Sequence, residues 1–215
     1  MTLKEEFIIL GYTKDDYDAI RNSYPISSIK DETLIEKVRD NYSFLLKLGY
    51  KREEIIKITK SLPEIYGYST RTIEQKMKDM ISLGYTKEEV IRMTKNSPSI
   101  YSYSIETIKK KIDDIISLGY TRKEVIKMTK SFTPIYGLSI ESMKQKIDDM
   151  ISLGYTRKEV INMTKDLPAI YGYSKKNMKQ KKDFYDSIGL HELVSVDPKQ
   201  LIQSVNLSYA RYCFY

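Results

Sequence analysis

The sequence predicts an all-α fold, a helical-repeat solenoid of 35-residue helix–connector–helix units, and three observations carry that prediction. Leu-Gly-Tyr opens at Leu10, Leu48, Leu83, Leu118 and Leu153, with Ile188-Gly189-Leu190 a decayed sixth copy, so the glycines fall at intervals of 38, 35, 35, 35 and 35. A fixed period of this size marks units that bury their apolar faces only against their neighbours. Between the glycines the apolar residues follow helical spacing, as at Ile108, Ile112, Ile115 and Ile116, one face at i, i+4, i+7 and i+8. Strand signals are absent. The chain of 215 residues reads as a single domain: a divergent amino-terminal unit over 1–47, full repeats over 48–82, 83–117, 118–152 and 153–187, and a carboxy-terminal cap over 188–215.

Each element has a local cause. With the unit's Leu as position 1, the glycine at position 2 stands where a helix ends, at the left-handed cap that only glycine fills without steric cost. Thr at position 4 and Glu at position 7 (Thr86/Glu89, Thr121/Glu124, Thr156/Glu159) form a capping box for helix A of the unit. The connector follows, written "TKSLPEIYGYS", "TKNSPSIYSYS", "TKSFTPIYGLS" and "TKDLPAIYGYS". Its proline removes a helix hydrogen bond and biases the residue before it away from α. Ser69, Ser104, Ser139 and Ser174 are natural N-caps for helix B. The recurring Tyr66, Tyr101, Tyr136 and Tyr171, with Tyr68, Tyr103 and Tyr173, read as a packed aromatic ladder in preference to a platform for stacking bases. In the third full unit the proline slips to Pro134 and Thr133 stands in its place, which predicts a local rearrangement there. The first unit lacks the connector tyrosines, as suits an end cap. The tail after Pro198 is compatible with one amphipathic helix closing the other end, and its aromatic finish at Tyr212, Phe214 and Tyr215 is consistent with a native chain that continues.

Composition bounds the function. Hydrophobic content of 41% with 30% charged residues is that of a globular protein, and no apolar run approaches the ~18 residues of a membrane span. One histidine, His191, and one cysteine, Cys213, offer neither a metal cluster nor a nucleophile–base pair. The acid pairs Asp113-Asp114 and Asp148-Asp149 point to different sides of a helix. No glycine-rich phosphate loop occurs. These absences predict a non-enzyme without cofactor or metal; the chain is separately expected to be a monomer. The start, "MTLKEEFIILGYTKDDYDAI", resembles neither a signal nor a transit peptide. It predicts a cytoplasmic protein, bacterial or delivered to a host cell, or an organellar matrix protein from which a presequence has been removed.

The net charge is +7, and residues 1–47, with seven Lys/Arg against nine Asp/Glu, hold −2 of it. A basic body behind an acidic start predicts a polyanionic partner. Positions 10 and 13 of helix A lie three apart on one face and hold Lys57/Lys60, Arg92/Lys95, Lys127/Lys130 and Asn162/Lys165. Stacked, they form a cationic ladder able to follow a phosphate backbone. Position 29 of helix B offers a second row, Lys76, Lys111, Lys146 and Lys181, beside the apolar seam, where stems also cover the core. At position 6, Glu53 and Glu88 give way to Lys123 and Lys158, and Lys123 stands one turn from Lys127, a like-charge pair that an isolated helix disfavours. Arg157 adds to the same region. Position 14 varies among polar types (Ser61, Asn96, Ser131, Asp166) and is the candidate for reading base edges. Lys95 and Asn96 have no evident structural duty.

The stretch "LGYTKEEVIRMTKNSPSIYSYSIETIKKKIDDIISLGYT" resembles the repeat of the mitochondrial transcription termination factor (mTERF) family: Leu-Gly with an N-cap, an apolar helix, a proline before a hydrophobic pair, then Ser-x-Glu and a lysine-bearing second helix. The resemblance covers roughly residues 8–190 and recurs four times. It implies a superhelix of units of two α-helices and a short 3₁₀ turn, binding nucleic acid, double-stranded DNA in most members and RNA in some, in gene expression such as transcription termination, without catalysis. A lesser resemblance is to TAL-effector-like repeats, whose glycine-rich base-reading loop this chain lacks. The alternative function is a protein-interaction scaffold of the α-solenoid type.

Overall fold

In a computed structural model that describes residues 1–187, every regular element is helical. The α-helices are α1 (Leu3–Ile9), α2 (Lys14–Asn22), α3 (Asp31–Leu48), α4 (Arg52–Ser61), α5 (Thr70–Ser82), α6 (Lys87–Asn96), α7 (Ile105–Ile116), α8 (Arg122–Ser131), α9 (Ile140–Ser152), α10 (Arg157–Asp166) and α11 (Lys175–Ser187). Five-residue 3₁₀ turns over Pro63–Gly67, Pro98–Ser102, Thr133–Gly137 and Pro168–Gly172 join α4 to α5, α6 to α7, α8 to α9 and α10 to α11. There is no strand among the described residues, and no helix among them is long and apolar enough to cross a membrane. The expected carboxy-terminal cap, with the decayed glycine motif, His191 and Cys213, lies outside the described residues.

The chain divides into two compact units, Met1–Lys109 and a second from Lys110 onward, with the boundary inside α7. Within each, helix A turns the same positions inward. Ile55, Val90, Val125 and Val160 at position 8, and Ile58, Met93, Met128 and Met163 at position 11, are all buried, each contributing about 1.5–3 kcal/mol by leaving water. Helix B of the second full repeat buries Ile108, Ile112 and Ile115, while Ile116 is half-buried.

Turn chemistry places the next element. Gly49, Gly84, Gly119 and Gly154 have φ between 99° and 112°, and nothing lies within 4 Å of where a Cβ would stand. Backbone conformation, not space, therefore requires glycine. The reversal lets Tyr50 N–H donate to the Leu45 carbonyl (3.2 Å) and Tyr155 N–H to that of Met150 (3.3 Å), the six-to-one bond of a glycine-capped helix end. The tyrosine that follows the glycine is thereby folded back, and at Tyr12, Tyr50, Tyr85 and Tyr120 its ring is buried.

The slipped proline does not rearrange its connector. Thr133–Gly137 forms the same 3₁₀ turn as its counterparts. Ile135 N–H donates to the Phe132 carbonyl (3.1 Å), as Ile65 N–H donates to that of Leu62 (3.2 Å). The first hydrogen bond of the turn comes from position 18, so either of the two preceding positions can lack an N–H. Thr133 adds its own bond, to the Thr129 carbonyl (3.2 Å).

Candidate nucleic-acid interface

Three of the lysines at position 13 form ion pairs between repeats, Lys60 while still half-exposed. Lys60 Nζ lies 2.5 Å from Asp16 Oδ1, Lys95 Nζ 2.9 Å from Glu54 Oε1 and Lys165 Nζ 3.5 Å from Glu124 Oε1. In each case the partner is the position-7 acid of the preceding repeat. Its second oxygen accepts the N-cap backbone N–H of its own helix, from Thr13 (3.1 Å), Lys51 (2.8 Å) and Thr121 (2.8 Å). One carboxylate thus starts a helix and holds the next repeat. Both jobs favour the ionised form. The Asp16 carboxyl is held below its usual value first by Lys60, then by the Thr13 N–H; that of Glu54 first by the Lys51 N–H, then by Lys95. Lys95 also stands 5.8 Å over the Tyr50 ring, and Lys130 is not free either. The expectation that Lys95 has no structural duty is therefore overturned.

The helix B row is a second clasp. Lys76 Nζ donates to the Tyr103 carbonyl (3.0 Å), Lys111 to that of Leu138 and Lys146 to that of Tyr173. Each acceptor is the C-cap of the next repeat's 3₁₀ turn, where the dipole favours a cation. Lys37 donates in a similar way to the carbonyl of Gly67, the last residue of its 3₁₀ turn (2.7 Å). Burial pushes the Lys76 ammonium pKa down. These lysines, expected as a second phosphate-tracking row, tie repeats together; the side chain of Lys181 lies outside what the structure describes.

Positions 6 and 10 of helix A face solvent. Lys57, Arg92, Lys123, Lys127 and Lys158 are exposed. Among the described residues no ion pair holds Lys123 or Lys158. Lys127 lies 3.2 Å from Asp166 of the next repeat, both largely exposed, a surface pair of about 0–1 kcal/mol. Arg157 is anchored by one arm, Nη2 donating to the Leu118 carbonyl at 3.0 Å. At position 14, Asp166 is thus taken by Lys127, Ser131 Oγ donates to the Met128 carbonyl (3.0 Å), and Ser61 and Asn96 are exposed at their helix ends.

The residue that sequence reasoning missed is the threonine at position 12. Thr59, Thr94, Thr129 and Thr164 are wholly buried, and the hydroxyl of Thr59 donates to the Ile55 carbonyl (2.9 Å). It must therefore accept from Tyr12 (2.7 Å), which in turn accepts from Tyr66 (2.5 Å). Tyr50, Thr94 and Tyr101 repeat the arrangement, as do Tyr120, Thr164 and Tyr171. The connector tyrosines pack the joint, as expected, and also hydrogen-bond across it. The unvarying Thr-Lys of all four connectors was the available signal.

Comparison with known protein families matches residues 20–152 to the family described as mTERF. The chain belongs to the mTERF family. No curated protein matches it. Membership in the mTERF family makes the chain a helical-repeat protein of a group that acts by binding nucleic acid in gene expression, generally without catalysis. No group of His, Cys, Asp and Glu able to hold a metal occurs among the described residues. A cavity of about 20 Å³ between α5, α6 and α7, lined by Lys76, Met80, Val90 and Ile108 among others, has room for about one water and for no larger ligand.

Proposed function

We propose that this mTERF protein binds duplex nucleic acid, DNA before RNA, through the phosphate backbone and thereby regulates transcription. The observation that supports this reading is the separation of cations into two sets. Lys60, Lys95 and Lys165 are paired between repeats, whereas Lys57, Arg92, Lys123 and Lys158 on the same helices stand exposed. A cation with no internal partner keeps its charge for a phosphate, and each such pairing releases counterions on binding. Interactions of this kind position a protein on a duplex without reading its sequence.

The test is a salt-titrated comparison of duplex DNA, duplex RNA and single strands. Binding to duplex DNA should weaken steeply with salt, and replacing Lys57, Arg92, Lys123 and Lys158 by Met should lower the logarithmic salt slope by about one unit for each phosphate no longer neutralised. Lys60, Lys95, Lys130 and Lys165 are poorer probes, because each is already engaged within the protein and its removal confounds folding with binding. A partner protein recovered at any salt, with no retention on nucleic acid, would support a scaffold instead.

A further inference from the structure

We infer that the second compact unit carries the nucleic-acid contact and that the first holds the polyanion weakly if at all. The inference rests on the nucleic-acid reading above and narrows it to one end of the chain. Residues 1–109 carry 18 Lys/Arg against 17 Asp/Glu, whereas residues 110–187 carry 16 against 10. The net charges, +1 and +6, belong to the two compact units of the fold. A long-range attraction for a polyanion therefore centres on the second.

The outer face of helix A shows where the difference arises. Position 10 of α8 meets position 14 of α10 through the Lys127–Asp166 pair, so the rows of successive helices are staggered by one turn. With that stagger, position 6 of one repeat stands beside position 10 of the next. In the first unit this sets Glu53 beside Arg92, and Glu88 lies one turn before Arg92 on α6 itself. Acids thus flank the exposed cation there. In the second unit the corresponding neighbours are Lys123 and Asn162, and Lys158 takes the place of Glu88. Lys123 and Lys158 are exposed, and both lie in the first turn of their helices, where the helix dipole opposes a cation. Lys123 is also one turn from Lys127, a second unfavourable relation. The protein holds lysine at the two places where glutamate would stabilise the helix, which fits a surface shaped for an external anion. Lys176 and Lys179 on α11 of the same unit are exposed as well.

The experiment compares charge-matched reversals. Lys123→Glu with Lys158→Glu, and Lys57→Glu with Arg92→Glu, change the net charge equally but at different ends. Binding to a labelled DNA duplex is measured over a salt series, with far-UV circular dichroism and melting as fold controls. The second-unit reversal puts glutamate where two other repeats already have it, so the fold should survive. It should weaken binding more than about tenfold and flatten the salt slope, while the first-unit reversal changes affinity less than about threefold. In the converse protein, Glu53→Lys with Glu88→Lys should strengthen binding and steepen the slope. Equal losses from both reversals would show that only net charge matters and overturn the polarity while leaving nucleic-acid binding intact. A larger loss from the first-unit reversal would overturn it as well. If the unaltered protein bound no duplex, the underlying reading would fail first, which separates the two failures.

Discussion

The hydroxyl of Tyr50 lies 2.5 Å from that of Thr94, 44 residues later in the next repeat. Thr94 donates to the Val90 carbonyl (3.0 Å), so the chain of donation runs from Tyr101 through Tyr50 to Thr94 and into the helix backbone. The direction ranks the substitutions. Tyr101→Phe removes only an incoming donor and should cost about 0.5–1 kcal/mol, whereas Tyr50→Phe or Thr94→Val strands a buried hydroxyl and should cost about 1–3 kcal/mol. Adding Tyr101→Phe to Tyr50→Phe removes the stranded donor, so urea denaturation of the double variant should show no further loss. A larger loss in the double variant would reverse the proposed direction.

The same hydroxyls predict alkaline sensitivity. Burial pushes the Tyr12 phenol up to about 12, and those of Tyr50, Tyr66, Tyr101, Tyr120 and Tyr171 also rise above their usual value, with burial the largest cause. A folded pKa above the unfolded one gives stability that is complete below the unfolded value and lost as pH climbs through the folded value. Tyrosinate absorbance and loss of ellipticity should therefore rise together above about pH 10. Complete ionisation of the tyrosines at that pH, the buried ones included, with the fold unchanged would contradict the buried arrangement.

At the acid end the carboxylates that start helices decide. Asp16, Glu54 and Glu124 titrate below their usual values. Their contribution is present above the unfolded pKa and disappears as pH falls through the folded one. Melting temperature should drop as pH is lowered below about 4–5, and Glu54→Gln combined with Glu124→Gln should make that drop shallower. An unchanged profile in the double variant would remove these pairs from the account.

Lys95 and Lys57 separate structure from binding. Lys95→Met should cost about 0.5–1 kcal/mol by breaking the Glu54 pair and leave the salt slope of duplex binding near that of the parent. Lys57→Met should leave melting within about 0.5 kcal/mol. A loss of duplex affinity from Lys95→Met without loss of stability would place phosphate binding where the structure places a clasp.

Gly84 isolates the cost of the turn. Its φ is 108° and an added Cβ would meet nothing within 4 Å, so Gly84→Ala should cost about 1–2 kcal/mol through backbone strain alone. Gly84→Asn should cost less in thermal melts, because asparagine tolerates the left-handed region.

The repeat was legible because its causes are local. A glycine cap, a capping box and a helical period each lie within one turn of chain, and the structure places them at Gly84, Thr86 with Glu89 and Ile112 as the residues dictate. The partner of Lys95 was not legible. Glu54 stands 41 residues before it, and only the stacking of α4 against α6 brings them together. The threonines were hidden for a related reason: a hydroxyl on a helix reads as neutral until the neighbouring repeat supplies the tyrosine that fills it. Slippage of Pro134 looked disruptive because the sequence does not show which N–H groups of the turn are used.

The most direct measurement of the central claim is the affinity of the unaltered protein for a DNA duplex across a salt series, beside the variant lacking the exposed cations Lys57, Arg92, Lys123 and Lys158. The account predicts a steep linear fall in log affinity with log salt for the parent and a smaller slope for the variant, by about two units if Lys123 and Lys158 carry the contact, at equal stability. Parallel lines for the two proteins, or binding indifferent to salt, would contradict it.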